Sequence, residues 1–155
     1  MESSLTYSES IRINAAPEAV YALVSDVTRT GEWSPVCKEC WWDEGDGPRV
    51  GAVFTGRNVT TEREWETRSE VVIADEGRAF GWSVGPGRVF WTYRMEEVDS
   101  GTELTETWEF SPAGQQFFDE RYGDDAEAQI ASREAAARSG IPTTLAAIKR
   151  IIEQS

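Results

Sequence analysis

The sequence contains no histidine. That removes Ser-His-Asp and Cys-His nucleophile systems, the usual zinc sites and histidine-ligated haem. Any chemistry must therefore use carboxylates, tyrosines, lysines or water, and neither a metal nor a cofactor is expected. Cysteine is almost as scarce, at two residues. They lie in Cys37-Lys38-Glu39-Cys40, the C-x-x-C spacing of redox and metal motifs. On a regular strand, residues three apart face opposite sides, and there is neither a second cysteine pair nor a histidine to complete a site. The expectation is two structural thiols.

Basic residues are few, 15 against 28 acidic ones, and the formal charge of −13 repels nucleic-acid phosphates and anionic membrane surfaces. Nucleic acid is excluded as a main partner. No apolar run approaches the roughly 18 residues of a membrane span, and the opening MESSLTYSES has neither a basic n-region nor an apolar h-region. A cytoplasmic protein without membrane insertion is expected, as monomer or homodimer, in which the sequon Asn58-Val59-Thr60 goes unused. Gly51-Ala52-Val53-Phe54-Thr55-Gly56 is no phosphate loop, because no Lys-Ser/Thr follows it and it opens no helix. The acidic run Asp119-Glu120 and Asp124-Asp125-Glu127 lacks calcium-loop spacing and reads as a solvated face.

What the chain does have is aromatic bulk: seven Trp, six Phe and four Tyr in 155 residues. That length suits one domain, 1–155, which buries roughly 70% of its unfolded surface. Near its end Ile141, Leu145, Ile148, Ile151 and Ile152 recur at steps of three and four, the stripe of an amphipathic helix over 141–153. Gly140 reads as a break before it, Pro142 as a first-turn residue, and Lys149 and Arg150 suit its C-terminal end. The stretch 126–138 reads as a separate, partly exposed helix with only Ile130 as a large apolar residue.

Ahead of these lies alternation. Residues 4–13 form a first strand with Tyr7, Glu9, Ile11 and Ile13 on one face, and 17–26 a short helix, with a further turn or two before Trp33. Strands follow over 36–44, 51–60, 63–74, 78–84, 88–98 and 102–110, separated by turns at 44–48, 60–62, 76–77, 85–87 and 99–101. Trp65, Thr67, Ser69, Val71 and Ile73 share one face, as do Val89, Trp91, Tyr93 and Met95, and as do Leu104, Glu106, Trp108 and Phe110. Ser111-Pro112 starts a helix carrying Phe117 and Phe118, which Gly123-Asp124-Asp125 interrupts. The order predicts an α+β domain in which one curved antiparallel sheet wraps the C-terminal helix.

Ile11-Arg12-Ile13-Asn14-Ala15-Ala16-Pro17-Glu18-Ala19-Val20, Gly31-Glu32-Trp33-Ser34-Pro35, Gly51 through Asn58, and Ser100-Gly101-Thr102-Glu103-Leu104-Thr105-Glu106 together resemble the START-like superfamily. More narrowly, they resemble its polyketide cyclase/dehydrase and lipid-transport-like group. The resemblance runs over nearly the whole chain, the polar helical stretch 113–139 excepted. It implies a helix-grip fold, a seven-stranded sheet around the C-terminal helix with a hydrophobic cavity between them. It does not imply one activity, since members bind lipids, steroids, hormones or polyketides and only some are enzymes.

Glu106 is the leading candidate for chemistry. Facing inward among Leu104, Trp108 and Phe110, its carboxyl would be desolvated and suited to general acid work near neutral pH, with Tyr93 or Tyr7 offering a hydroxyl. A salt bridge to arginine, or a strand turned the other way, would leave it structural. Glu9 raises the same question on the first strand. Phe54, Trp65, Phe80, Trp82, Trp91 and Trp108 are the candidate ligand walls from the sheet, Leu145 and Ile148 those from the helix, and Trp33 and Phe117 those at the entrance. A hydrophobic small molecule, lipid-like or polyketide-like, is the expected ligand, with a cofactor-independent cyclase or dehydratase as the alternative. Burying about 300 Å² of such a ligand yields roughly 7 kcal/mol before association costs, so selectivity must come from a few polar groups.

Overall fold

The computed structural model describes residues 3–44 and 47–154. Seven strands, β1 (Leu5–Ile13), β2 (Cys37–Glu44), β3 (Val53–Val59), β4 (Glu64–Asp75), β5 (Ala79–Val84), β6 (Val89–Val98) and β7 (Gly101–Phe110), form one antiparallel sheet. Its order is β1-β7-β6-β5-β4-β3-β2, so β1 closes one edge against the last strand and the rest is a meander. The intervening helix α1 (Pro17–Val24) and a 3₁₀ segment, Val27–Glu32, join β1 to β2. Helices α2 (Pro112–Tyr122) and α3 (Ala126–Glu153) follow the sheet, separated by the 3₁₀ turn Gly123–Asp125. The turn expected at 44–48 includes Gly45 and Asp46, which lie outside the described residues.

Local chemistry explains these boundaries. Pro17 occupies the first turn of α1, where its missing N–H costs nothing. The Ser111 hydroxyl accepts from the Gly114 amide at 3.1 Å and caps α2, with Pro112 behind it. Asp99 adopts φ 51° in the two-residue turn between β6 and β7, a left-handed conformation that Asp tolerates better than most residues. Gly31 lets the 3₁₀ segment lie directly on β2, because any Cβ there would collide with the Lys38 carbonyl oxygen.

One face of the sheet carries the core. Across β1, β7, β6 and β5 the register aligns Tyr7 with Trp108, Trp108 with Trp91 and Trp91 with Trp82; the next aligned set is Glu9, Glu106, Tyr93 and Phe80. Ile13, Phe80, Leu104 and Phe110 are completely buried there, together with Val20 of α1 and Ile148 of α3. These side chains make the sheet face and the helices one hydrophobic unit.

Three expectations need correction. Helix α3 is one element of 28 residues with Gly140 and Pro142 inside it, not two helices broken at Gly140. Burial of Ala137 at 2% links Ile130 to Ile141 in a continuous stripe, and that packing outweighs the helix-breaking tendency of the two residues. Ile73 does not share the face of Val71: the register slips between them, so Ala74 pairs with Phe80 and Ile73 with Gly81. Finally, Cys37 and Cys40 do not face opposite sides. A register shift between Cys37 and Glu39 brings their sulfurs to 3.3 Å. Both reversals have one cause, a bulge that adds a residue and flips the alternation beyond it.

Candidate functional site

Glu106 projects from the middle of β7 onto the core face and is 5% exposed. Burial removes the water that would solvate its anion and pushes its pKa up to about 8 from the ordinary 4.5. At neutral pH the group is therefore mainly a neutral carboxylic acid. Tyr93, directly opposite on β6 and 3% exposed, hydrogen-bonds to it and offsets part of that rise. Burial first, then the Glu106 charge, holds the Tyr93 hydroxyl well above its usual pKa, so the phenol keeps its proton.

The direction of these contacts follows from what each group can do. The indole of Trp33, which follows the 3₁₀ segment and is 4% exposed, can only donate, so it donates to the Tyr93 oxygen. The Tyr93 O–H in turn donates to Glu106. Glu106 Oε1 is left buried with no partner. Oε1 is therefore the carboxyl atom free to meet a polar group of a ligand. A buried polar atom without a partner costs about 1–3 kcal/mol, and a bound carbonyl or hydroxyl would recover it.

The aromatic walls divide into three groups. Phe54, Phe80 and Trp108 are buried, and Trp82 and Trp91 are half-buried against them. Trp42, which alternation alone does not distinguish from Trp41, joins this set. Its ring meets Phe54 at 5.6 Å, Phe54 meets Trp82 at 5.8 Å, and Trp82 meets Tyr93 at 5.9 Å. This edge-to-face and tilted series runs from the half-exposed edge strand to the acid. Trp65 and Phe117 stand apart from the core. Trp65 lies under the Arg63 guanidinium at 3.9 Å, and Phe117 under that of Arg88 at 3.6 Å.

Leu145 and Ile148 are 2% and 0% exposed, so no water-sized space touches them appreciably, and in this state they are core rather than open walls. Tyr7 is half-buried and donates to Glu9 at 2.6 Å, with the Arg138 guanidinium 4.7 Å from its ring. An open pocket of about 290 Å³ lies between the 3₁₀ segment and β2; Arg29, Lys38 and Cys40 line it, and no residue of the Glu106 cluster does. Among the described residues no cluster of three or more Cys, Asp or Glu could hold a metal ion, and no helix is long and apolar enough to cross a membrane.

With this geometry in view, the family model described as polyketide cyclase/dehydrase and lipid transport matches residues 4–138. The chain belongs to that family. The match includes the polar stretch that the sequence resemblance had left aside. A polyketide-cyclase-like protein of Corynebacterium glutamicum, known from its solution NMR structure, is 61% identical, with a TM-score of 0.72 over 99% of this chain and 94% of that one. The Zhui aromatase/cyclase of a Streptomyces species shares the fold at 16% identity, with a TM-score of 0.74 over 97% and 94% of the two chains. A di-domain aromatase/cyclase of the steffimycin biosynthetic pathway does so at 13% identity and a TM-score of 0.74, over 98% of this chain and 51% of that one. No curated protein matches the sequence. The family and the helix-grip architecture agree with the resemblance seen in the sequence.

Proposed function

We propose that the protein binds a hydrophobic small molecule, lipid-like or polyketide-like, that carries a carbonyl or hydroxyl group. The observation that carries this reading is the unpartnered, buried Oε1 of Glu106 at the end of the Trp42, Phe54, Trp82 and Tyr93 series. The half-exposed Trp42 and Trp82 supply the apolar approach, and the neutral acid supplies the polar contact. Because Glu106 stays largely protonated at pH 7, it donates to an oxygen acceptor without the cost of burying a charge.

Tryptophan fluorescence can test this directly. The full chain would be titrated with a long-chain fatty acid and with a hydroxylated polycyclic aromatic ketone, alongside the ketone's deoxygenated analogue. At least one oxygenated probe should bind, and Glu106→Leu, which removes the donor, should weaken it by about tenfold while leaving the analogue unchanged, since one hydrogen bond to the acid is worth roughly 1–1.5 kcal/mol. Absence of binding to every probe, with no small molecule in native mass spectra of freshly purified protein, would refute the reading.

A second reading, cofactor-independent cyclase or dehydratase chemistry, is favoured by the same acid. A carboxyl held near pKa 8 beside a protonated tyrosine is a competent proton donor toward a bound carbonyl at pH 7. It requires turnover of a poly-β-ketone probe that falls at least a hundredfold in Glu106→Gln.

A further inference from the structure

The cysteines left aside by the sequence are the second chemically suggestive group in the molecule. The shift in register at the start of β2 places the Cys37 and Cys40 sulfurs 3.3 Å apart as free, half-buried thiols. A disulfide needs about 2.05 Å between sulfurs, so closure asks for an approach of little more than 1 Å. Strand β2 is the sheet edge, paired only with β3, and can make that adjustment without disturbing a second ladder. Gly56 faces Cys40 across the pair of strands, and a Cβ there would lie 3.1 Å from the Cys37 sulfur and 3.3 Å from that of Cys40. The absence of a side chain at Gly56 is what leaves room for both sulfurs.

The two thiols are not equivalent. Cys40 lines the open pocket of about 290 Å³ beside Lys38 and Arg29, whereas Cys37 does not. The 3.3 Å contact between the thiols, in which either sulfur can donate, pulls the Cys40 pKa down and pushes that of Cys37 up, and the Cys37 S–H also reaches the Glu39 carbonyl at 3.4 Å. Thr30 lies beside Cys40 but adds little, since its hydroxyl proton is donated to the Val27 carbonyl at 2.7 Å. Cys40 is thus both the residue that lines the pocket and the one whose pKa is lowered, which matches the division of labour between an attacking and a resolving cysteine.

We propose that Cys37 and Cys40 form a redox-active dithiol that closes to an intramolecular disulfide by exchange with a low-molecular-weight disulfide, Cys40 attacking and Cys37 resolving. The Cys40 thiolate forms a bond to one sulfur of the small disulfide, whose S–S bond breaks and releases one thiolate that takes up a proton. The Cys37 thiol then loses its proton and attacks the Cys40 sulfur, and the second small thiol leaves. The protein dithiol is oxidised by two electrons and one small disulfide is reduced to two thiols. This site is independent of the ligand proposed for Glu106.

Oxidised glutathione and the full chain provide the test, read by mass spectrometry and peptide mapping. Wild type should lose two hydrogens and gain no glutathione, its Cys37 and Cys40 peptides should be linked, and excess dithiol should reverse the change. Cys37→Ser should accumulate a mixed disulfide on Cys40, and Cys40→Ser should react about tenfold more slowly at Cys37. Two thiols persisting in excess oxidised glutathione, glutathione retained on both cysteines of wild type, or a disulfide joining two chains would each overturn the proposal. Both single variants replace sulfur with a near-isosteric hydroxyl, and circular dichroism of each confirms the fold before the thiol readout.

Discussion

Two tyrosine–glutamate pairs occupy adjoining strands on the same face of the sheet, and they differ in almost every physical respect. Glu9 and Glu106 stand directly opposite each other across β1 and β7. Glu9 is exposed and accepts a 2.6 Å hydrogen bond from Tyr7, beneath the Arg138 guanidinium. Glu106, one strand inward, is 5% exposed and shares its tyrosine with an indole and no cation. Chemical identity and strand position are nearly the same, so desolvation is the leading difference, with the Arg138 cation beside the exposed pair as the second. One strand spacing, roughly 4.8 Å, separates an exposed side chain from a largely neutral buried acid.

The largest expected effect sharpens that contrast through pH. The folded-state pKa of Glu106 is raised to about 8 from 4.5. Between those values the folded state holds a proton that the unfolded state has released, so raising the pH favours unfolding. The stability associated with protonated Glu106 is fully present below about pH 4.5 and is lost as pH rises through about 8, by at most about 5 kcal/mol. Urea unfolding at pH 5 and pH 9 should therefore show Glu106→Gln gaining several kcal/mol relative to wild type on going to pH 9. Glu9→Gln should stay within about 0.5 kcal/mol of wild type at both pH values. Equal responses in the two variants would mean that desolvation is not what separates the pairs.

The fate of these residues also shows what the sequence could reveal. Strands β6 and β7 pair from Val89 to Phe110 without a register shift, so counting by two correctly put Leu104, Glu106, Trp108 and Phe110 on one face, while only the fold shows that this face points inward. The same counting failed at Ile73 and at Cys37, because a bulge reverses parity and no local residue pattern announced it. Trp41 and Trp42 pose a related problem. Alternation requires one of them to face inward, but only the pairing of Trp42 with Phe54 decides which. In α3 the error was of another kind. Gly140 and Pro142 carry strong stop and start signals, whereas the small Ala137 that seals the helix onto the core has no distinctive signal before the fold is known. The relay from Trp33 to Tyr93 and on to Glu106 joins residues from three separate elements, and nothing in the linear spacing connects them.

A second, smaller effect separates the tyrosines. Tyr93→Phe removes the donor to Glu106 and leaves the Trp33 indole without its acceptor, so two buried groups lose a partner. The expected cost is about 1–3 kcal/mol. The Glu106 pKa should move further upward, because the tyrosine contact is what holds it down, and a carbon-13 carboxyl titration would read that shift. Tyr7→Phe breaks a hydrogen bond that water can replace and should cost no more than about 0.5 kcal/mol.

The smallest effect concerns the cation that only the wet pair possesses. Arg138 places its guanidinium 4.7 Å from the Tyr7 ring and meets Glu134 at 3.2 Å one helical turn away. Both contacts are partly hydrated. The stacking contributes about 0.5–1 kcal/mol and the ion pair no more than a few tenths. Arg138→Met keeps the apolar stem and removes the charge, so it should lower stability by under about 1 kcal/mol, with most of that difference remaining at high salt because ring stacking is less screened than the ion pair. The substitution should leave the Glu106 titration unmoved, since the Arg138 charge is not among the influences on that carboxyl. Were the carboxyl titration to shift instead, the two pairs would share one electrostatic environment, and the solvated pair would have to be counted as part of the acid's surroundings.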